Sequence, residues 1–140
     1  MSPENEPVYF RPSELPWADD RASGQVPASM IEAAERLGGG GRKLLADGQG
    51  GFHSTYSEVP PGYRMAPHRH DVDELFVVLD GSCTWLDGQA VGAHDSVVLP
   101  AGWTHGYTVG PDGLRVLTIA TGPFRTVLVD DDDSGAGGHA

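Results

Sequence analysis

The sequence predicts an all-β domain, a sandwich or a barrel of short strands. Its 20 glycines and 11 prolines indicate many turns and leave little room for long helices. Short runs rich in Val, Leu, Thr and Tyr recur along the chain, and turn signals such as Asp87-Gly88 separate them. A chain of 140 residues with 39% apolar content is enough for one core, so we expect a single folded body.

The N-terminal region, residues 1–40, is expected to be an arm followed by a short helix. Residues 1–26 combine prolines, charges and isolated aromatic residues, a composition typical of an extended arm that orders by docking. The stretch from Pro27 to Leu37 places its apolar residues on one helical face, and Gly38 ends the helix. That face consists of Met30, Ala33, Ala34 and Leu37.

Strands dominate residues 41–129, which we expect to form the barrel or sandwich. The predicted strands cover residues 42–46, 52–59, 74–79, 82–86, 95–100, 106–109, 114–121 and 124–129. Asp87-Gly88 is the strongest hairpin signal, and Pro111-Asp112-Gly113 marks a further turn. The stretch 130–140 begins with four aspartates and carries no large apolar side chain, so a disordered acidic tail is expected.

The charge of the chain argues against nucleic acid and membrane partners. The formal net charge is −11, but residues 41–129 hold six basic against nine acidic side chains, a net charge of −3. An acidic surface without a basic stripe does not favour phosphates or anionic membranes. One cysteine, Cys83, excludes an internal disulfide, and no apolar run approaches the roughly 20 residues of a membrane span. Without a signal-peptide pattern, we expect a soluble cytoplasmic protein.

Two histidines and a glutamate are the main candidates for chemistry. Residues two apart on a strand point to the same side, so His68 and His70 are expected to project together. Glu74 shares the predicted inner face with Phe76 and Val78, where burying an unpaired charge would cost several kcal/mol. A bound metal ion would explain both features. A later histidine, His105, starts a strand that would face this cluster if the sheet closes into a barrel.

With these residues the sequence resembles the cupin superfamily. The first cupin motif, Gly-x5-His-x-His-x3-Glu-x6-Gly, is matched at every position. The matching residues are Gly62, His68, His70, Glu74 and Gly81. The second motif, Gly-x5-Pro-x-Gly-x2-His-x3-Asn, is met by Pro100, Gly102 and His105. His94 stands at the position of its first Gly and Val109 at that of its Asn, and we expect Gly92 to supply the turn.

The resemblance implies a double-stranded β-helix, the jelly-roll barrel of cupins, over about residues 42–129 with one divalent transition metal inside. The implied metal ligands are His68, His70, Glu74 and His105. Imidazoles with one carboxylate suit Fe(II), which we favour, and also Mn, Ni, Co or Zn. A six-coordinate metal would keep two positions open for a small-molecule substrate that binds through two oxygens, or for substrate and dioxygen.

Two further side chains are candidates for a catalytic role. Tyr107 shares the strand face of His105, where its hydroxyl would donate a hydrogen bond to an oxygen atom at the metal. His53 would act as a base behind the metal ligands if its strand turns it into the barrel, although strand histidines often lie at an edge. Other residues are expected to line either the pocket or the core. They are Tyr63, Met65, Phe76, Trp85 and Trp103.

The leading interpretation is a metal-dependent small-molecule enzyme, and oxygen-dependent dioxygenase chemistry ranks first. Isomerase, cyclase, decarboxylase or lyase chemistry at a redox-silent metal ranks next, because the same four ligands serve both. Two hypotheses without catalysis stay open, namely a module that binds a small ligand or a metal and a metal-free structural barrel. An apolar stripe on the outer face of the strand 74–79 predicts a homodimer. The stripe consists of Leu75, Val77 and Leu79.

Overall fold

The computed structural model describes residues 6–24, 26–123 and 126–129. Helices α1 (Asp20–Ser23) and α2 (Ala28–Arg36) precede the strands. The strands are β1 (Gly41–Asp47), β2 (His53–Val59), β3 (Arg64–Arg69), β4 (Glu74–Trp85), β5 (Ala90–Gly92), β6 (Ser96–Leu99), β7 (His105–Ala120) and β8 (Val127–Leu128). The predicted tail, 130–140, lies outside the described residues. No helix within the described ranges has the length and apolar character needed to cross a membrane.

The strands pair antiparallel in one curled sheet. Its main path has the order β1-β2-β7-β3-β8, and β4 pairs with β5, β6 and β7. The first part of β7 pairs with β3, the second part pairs with β2, and β4 runs alongside both parts. The sheet therefore closes around one interior, which confirms the predicted all-β double-stranded β-helix.

Two strands are longer than predicted, because glycines let them bend without breaking. β4 and β7 each join two of the predicted strands, and the turn signal Pro111-Asp112-Gly113 lies within β7. The ladder between β4 and β7 shifts register next to Gly81, whose φ is +81°. A Cβ atom on Gly81 would lie 2.0 Å from the carbonyl oxygen of Gly113. Only glycine fits this close approach. Because glycine is also typical of turns, the sequence pattern predicts the end of a strand where the strand only bends.

The turn before β5 is the one that the sequence predicts, and the turn after β5 has an unexpected residue in the left-handed conformation. Asp87-Gly88 forms the expected hairpin between β4 and β5, where the Gly88 N–H donates to the carbonyl oxygen of Trp85 at 2.9 Å. Before β6, Gly92 begins the turn as expected, and its carbonyl oxygen accepts a hydrogen bond from the Asp95 N–H at 3.0 Å. His94 takes the left-handed conformation there, with φ +77°, although its side chain has a Cβ atom. This explains why the related motif has glycine at the position of His94.

The N-terminal arm docks on β1. The Ala18 N–H donates to the carbonyl oxygen of Arg42 at 2.8 Å, and Lys43 Nζ donates to the carbonyl oxygen of Pro12 at 2.6 Å. Lys43 Nζ also lies 4.5 Å from the centroid of the Trp17 ring, a distance typical of a cation–π contact. These contacts hold residues 12–18 along the barrel.

Helix α2 packs against the barrel through the start of its apolar face. Met30 is buried, and its carbonyl oxygen accepts a hydrogen bond from the Tyr63 hydroxyl at 3.3 Å. Leu37, which was expected on the same face, follows the end of the helix and is exposed. The buried core inside the sheet consists of Tyr63, Phe76, Val78, Cys83, Trp85, Leu99, Tyr107, Val109, Leu114 and Val116.

Candidate metal centre

Three histidines meet inside the curled sheet. His68 on β3 lies directly opposite His105 on β7 in the antiparallel ladder, and His70 follows one residue after β3 ends. All three side chains are buried. One ring nitrogen from each lies within 4.8 Å of those of the other two. The three residues can therefore hold one transition-metal ion, for which neutral imidazoles are good ligands.

Two of the imidazoles are oriented by backbone hydrogen bonds. His68 Nδ1 lies 2.7 Å from the carbonyl oxygen of Ala66, and His105 Nδ1 lies 3.0 Å from that of Trp103. Because a carbonyl oxygen only accepts, each Nδ1 carries the proton and donates it. Nε2 is then the nitrogen with a free lone pair on both rings, and the backbone fixes the ring orientation that a metal ligand needs.

Burial keeps two of these rings neutral at neutral pH. Loss of solvation, together with a smaller effect of the neighbouring His105, lowers the pKa of His68 to about 3. Loss of solvation also lowers the pKa of His105 to about 4. A metal ion would therefore displace no proton from either ring on binding above about pH 5.

Glu74 lies next to the histidines with an unsatisfied oxygen. Its Oε2 is 3.4 Å from His70 Nε2 and has no hydrogen-bond partner within the described part of the chain. Burial raises the pKa of Glu74 to about 7. The group of ligand atoms that all lie within 4.8 Å of one another consists of the three histidines and does not include Glu74. A buried carboxylate oxygen without a partner fits a metal ligand, so the implied ligand role of Glu74 stays a prediction.

A cavity of about 380 Å³ opens onto this cluster, between the interior of the sheet and the N-terminal region. Most of its wall is apolar or aromatic. These wall residues include Trp17, Met30, Ala34, Tyr63, Met65, Phe76, Trp85, Leu99, Tyr107 and Val116. Besides the histidines and Glu74, its polar lining residues include Thr55, Ser57 and Thr118, and the charged residues Asp19, Asp20, Arg21, Glu35, Arg42 and Glu58 also line it. Such a cavity suits a small molecule that is largely apolar and carries few polar groups.

Most of the side chains expected to shape a pocket do line this cavity. The exception is Trp103, whose ring stacks on that of His105 at 6.1 Å between centroids. The sequence did not predict that the arm and α2 contribute to the cavity wall. An isolated aromatic residue in the arm, Trp17, was the one indication of this contribution. The sequence also did not predict the threonines, because Thr is common on strands for reasons of packing alone.

The two predicted catalytic side chains occupy different places. Tyr107 lines the cavity two residues after His105, and burial raises its pKa well above the usual value. His53 lies at the start of β2, where its Nδ1 is 3.8 Å from Asp47 Oδ1, and the described cavity wall does not include it. The position of Tyr107 in the cavity wall supports its predicted catalytic role. The predicted role of His53 has no such support and stays a prediction.

Comparison with known proteins gives the same fold and a matching family. Residues 55–120 match the family model described as the cupin domain. Dimethylsulfoniopropionate lyase DddW of Ruegeria pomeroyi is 36% identical over 62 residues, which cover 42% of this chain and 41% of that protein. The chain thus matches less than half the length of this curated relative.

Solved structures show the same fold over more of the chain. The polyketide cyclase RemF from Streptomyces resistomycificus is 29% identical, with a TM-score of 0.53 over 67% of this chain and 75% of that one. KdgF from Halomonas sp. is 20% identical, with a TM-score of 0.61 over 83% of this chain and 96% of that one. The curled sheet, the histidine cluster and the matched family model agree, and residues 55–120 of this chain are a cupin domain.

Proposed function

We propose that this cupin is a metal-dependent enzyme that performs lyase or cyclase chemistry, without net oxidation, on a small and largely apolar molecule. The observation that carries the proposal is the opening of three buried histidines onto a mainly apolar cavity of about 380 Å³. An enzyme of this kind needs a polar reaction centre at the end of a pocket that excludes water.

The printed activities of two relatives support lyase or cyclase chemistry. DddW is named as a lyase, and RemF is named as a polyketide cyclase. Both are more than 25% identical to this chain over the compared residues, whereas the remaining structural likenesses support the fold alone. Eliminations and cyclisations commonly begin with loss of a proton next to a carbonyl group, and they need no external oxidant.

The metal would be held by His68, His70 and His105, with Glu74 as the proposed fourth ligand. A divalent ion there would supply Lewis acidity, which stabilises negative charge that develops on a substrate oxygen. The donor set suits Fe(II), Mn(II), Ni(II), Co(II) or Zn(II). The metal identity is therefore part of the test.

The side chains around the histidines position the substrate. Tyr107 keeps its proton at neutral pH, because its pKa is raised, so its hydroxyl donates a hydrogen bond and does not act as a base. Phe76, Leu99 and Val116 form apolar wall that orients the body of the molecule and keeps out water. Thr55 and Thr118 also line the cavity, and the Thr118 hydroxyl, which donates to the carbonyl oxygen of Thr55 at 3.5 Å, can accept a hydrogen bond from the molecule.

Oxygen-dependent dioxygenase chemistry at Fe(II) stays the competing prediction from the sequence, because the same donor set serves it. The two are separated by whether turnover needs dioxygen. Full-length protein loaded with Fe(II), Mn(II) or Zn(II) is incubated anaerobically and in air with two substrate panels. One panel contains aromatic β-keto compounds, and the other contains β-substituted carboxylates. Products are identified by mass spectrometry, and oxygen uptake is recorded.

The proposal expects anaerobic turnover of at least one compound, and loss of that turnover in H105A. The matched control is H94A, which removes an exposed histidine that is not among the residues lining the cavity and should keep turnover. Oxygen uptake equal to substrate loss, with no anaerobic product, would establish the dioxygenase instead. A bound metabolite that survives purification, without turnover of any compound, would favour a binding module.

A further inference from the structure

Two buried polar side-chain atoms lack a hydrogen-bond partner in the described part of the molecule, and both belong to residues of one cavity. They are Glu74 Oε2 and Trp85 Nε1. Glu74 has an explanation, since its carboxylate lies beside the histidines. The indole N–H of Trp85 has none in the metal centre, because it is a donor and metals bind acceptors.

Trp85 is held firmly in the cavity wall. It ends β4 directly opposite Tyr107 in the ladder with β7, and its exposed fraction is 6%. Its ring meets those of Phe76 and Tyr107 edge to face, at 4.9 Å and 5.2 Å between centroids. The His105 ring is 6.0 Å away, so the indole lies within the length of a small molecule from the metal centre.

A buried indole N–H without a partner needs an explanation. Burial removes its hydrogen bonds to water, and nearly all buried donors in folded proteins recover a partner. A phenylalanine would fill this aromatic cluster without leaving a donor unpaired. The nitrogen is thus costly for packing alone, and an acceptor on a bound ligand would satisfy it.

The remaining charges of the cavity restrict what that acceptor is. The cationic side chains of its described wall are Arg21 and Arg42. Arg21 is paired with Glu35 at 2.5 Å, and Arg42 is paired with Asp20 at 2.6 Å. A ligand with several negative charges would meet carboxylates there, and both cations are already neutralised. A neutral oxygen such as a carbonyl suits a neutral indole donor better.

We propose that the Trp85 N–H donates a hydrogen bond to a carbonyl oxygen of the substrate, and that the substrate is a flat aromatic ketone. The aromatic side chains around Trp85 pack against the ring system of the substrate, while the indole N–H binds the carbonyl group at one end of the substrate. This assignment rests on the proposed function for the identity of the bound molecule as a substrate. The contact itself is a binding contact and does not require turnover.

The test compares two probes that differ in one oxygen, acetylnaphthalene and ethylnaphthalene, on full-length zinc-loaded protein. Dissociation constants are measured by calorimetry for the parent and for W85F, which keeps an aromatic ring and removes the N–H. The parent is expected to bind acetylnaphthalene more tightly than ethylnaphthalene. In W85F the ratio of the two dissociation constants is expected to fall roughly fivefold. Affinity for ethylnaphthalene should stay close to that of the parent.

Trp17→Phe is the matched control, because Trp17 lines the same cavity but is half exposed at its mouth. It should change the affinities of both probes by the same factor. In heteronuclear NMR, the Trp85 indole resonance should move downfield with acetylnaphthalene and not with ethylnaphthalene. Metal content and thermal melting of W85F must equal those of the parent.

The proposal is overturned if the parent does not prefer acetylnaphthalene, or if W85F keeps the preference. In that case the indole N–H points at the face of a neighbouring ring, and Trp85 is a packing residue. Probe discrimination that depends on Trp85, together with no anaerobic turnover of any compound in either substrate panel, would defeat the proposed function and leave this contact standing.

Discussion

His68 and His105 lie directly opposite each other in the ladder between β3 and β7, and this pairing brings two candidate metal ligands together from distant parts of the chain. A slip of one residue in that register would turn one imidazole to the outer face of the sheet. The turns that fix the register are therefore as important for metal binding as the histidines themselves.

Glu74→Gln should lower metal affinity by roughly tenfold or more, as loss of a ligand or of its close support does. The change keeps the shape of the side chain and removes its negative charge, and H105A should have at least the same effect. Metal-to-protein ratios after dialysis against a weak chelator measure both variants. Unchanged occupancy in E74Q, with an intact circular dichroism spectrum, would make Glu74 a structural carboxylate.

Metal affinity should fall as the pH drops below about 7. The metal-free Glu74 has a pKa raised to about 7, so below that pH it must release a proton when the metal binds. His68 and His105 have pKa values lowered to about 3 and 4, so they add no proton release above pH 5. Calorimetry in buffers of different ionisation enthalpy counts the protons. E74Q should release fewer protons than the parent at pH 6, and equal release would remove Glu74 from the site.

The replacement of Gly81 by Ala should destabilise the fold by about 3 kcal/mol or more. A Cβ atom there would lie 2.0 Å from a backbone oxygen, and the φ of +81° adds strain of roughly 1 kcal/mol. Gly88→Ala is the matched control, since its φ is +89° but its Cβ would have no neighbour within 4 Å. Urea unfolding should show the control losing about 1 kcal/mol. Equal losses in both variants would mean that β4 shifts to avoid the contact.

His94→Gly should stabilise the fold by about 0.5 to 1 kcal/mol. Glycine removes the cost of the left-handed φ of +77°, roughly 1 to 2 kcal/mol, although its unfolded chain has more freedom to lose. His94→Ala keeps the strain and should bring no gain. Urea unfolding of both variants beside the parent measures this, and a less stable H94G would show that the histidine ring makes a compensating contact.

We propose that the outer face of the sheet forms a homodimer. Val98 and Ile119 both pair with Leu75, so these side chains form an apolar row across β6, β4 and β7, and Val98 is 67% exposed. The row continues into a groove of about 850 Å³, which includes Phe52. A contiguous apolar face of this kind is typical of an interface between subunits.

Sedimentation at tens of micromolar should therefore show a dimer, and Val98→Lys should shift it towards monomer. Leu86→Lys, at an exposed hairpin position off that row, should remain dimeric. A monomeric parent would leave the arm residues Val8 and Phe10, which line the same groove, as the cover of this face.

The sequence predicted those features that depend only on residues close together in the chain. His68 and His70 could be placed together because strand side chains alternate, and Asp87-Gly88 could be placed in a hairpin because the turn needs those residues. The bends within β4 and β7 could not be predicted, since Gly81 and Gly113 look like turn residues until their backbones are seen in contact. The position of the arm depends on contacts such as that of Lys43 with Pro12, which no period in the sequence reveals.

The cavity wall has a consequence for how such proteins diverge. The family pattern matches residues 55–120, but Trp17, Met30 and Ala34 lie before that range and close one side of the cavity. Substitutions in this earlier segment change the shape offered to a ligand while the histidine cluster keeps its geometry. Part of the ligand preference is thus encoded outside the stretch that carries the candidate metal ligands, and that part can change without altering them.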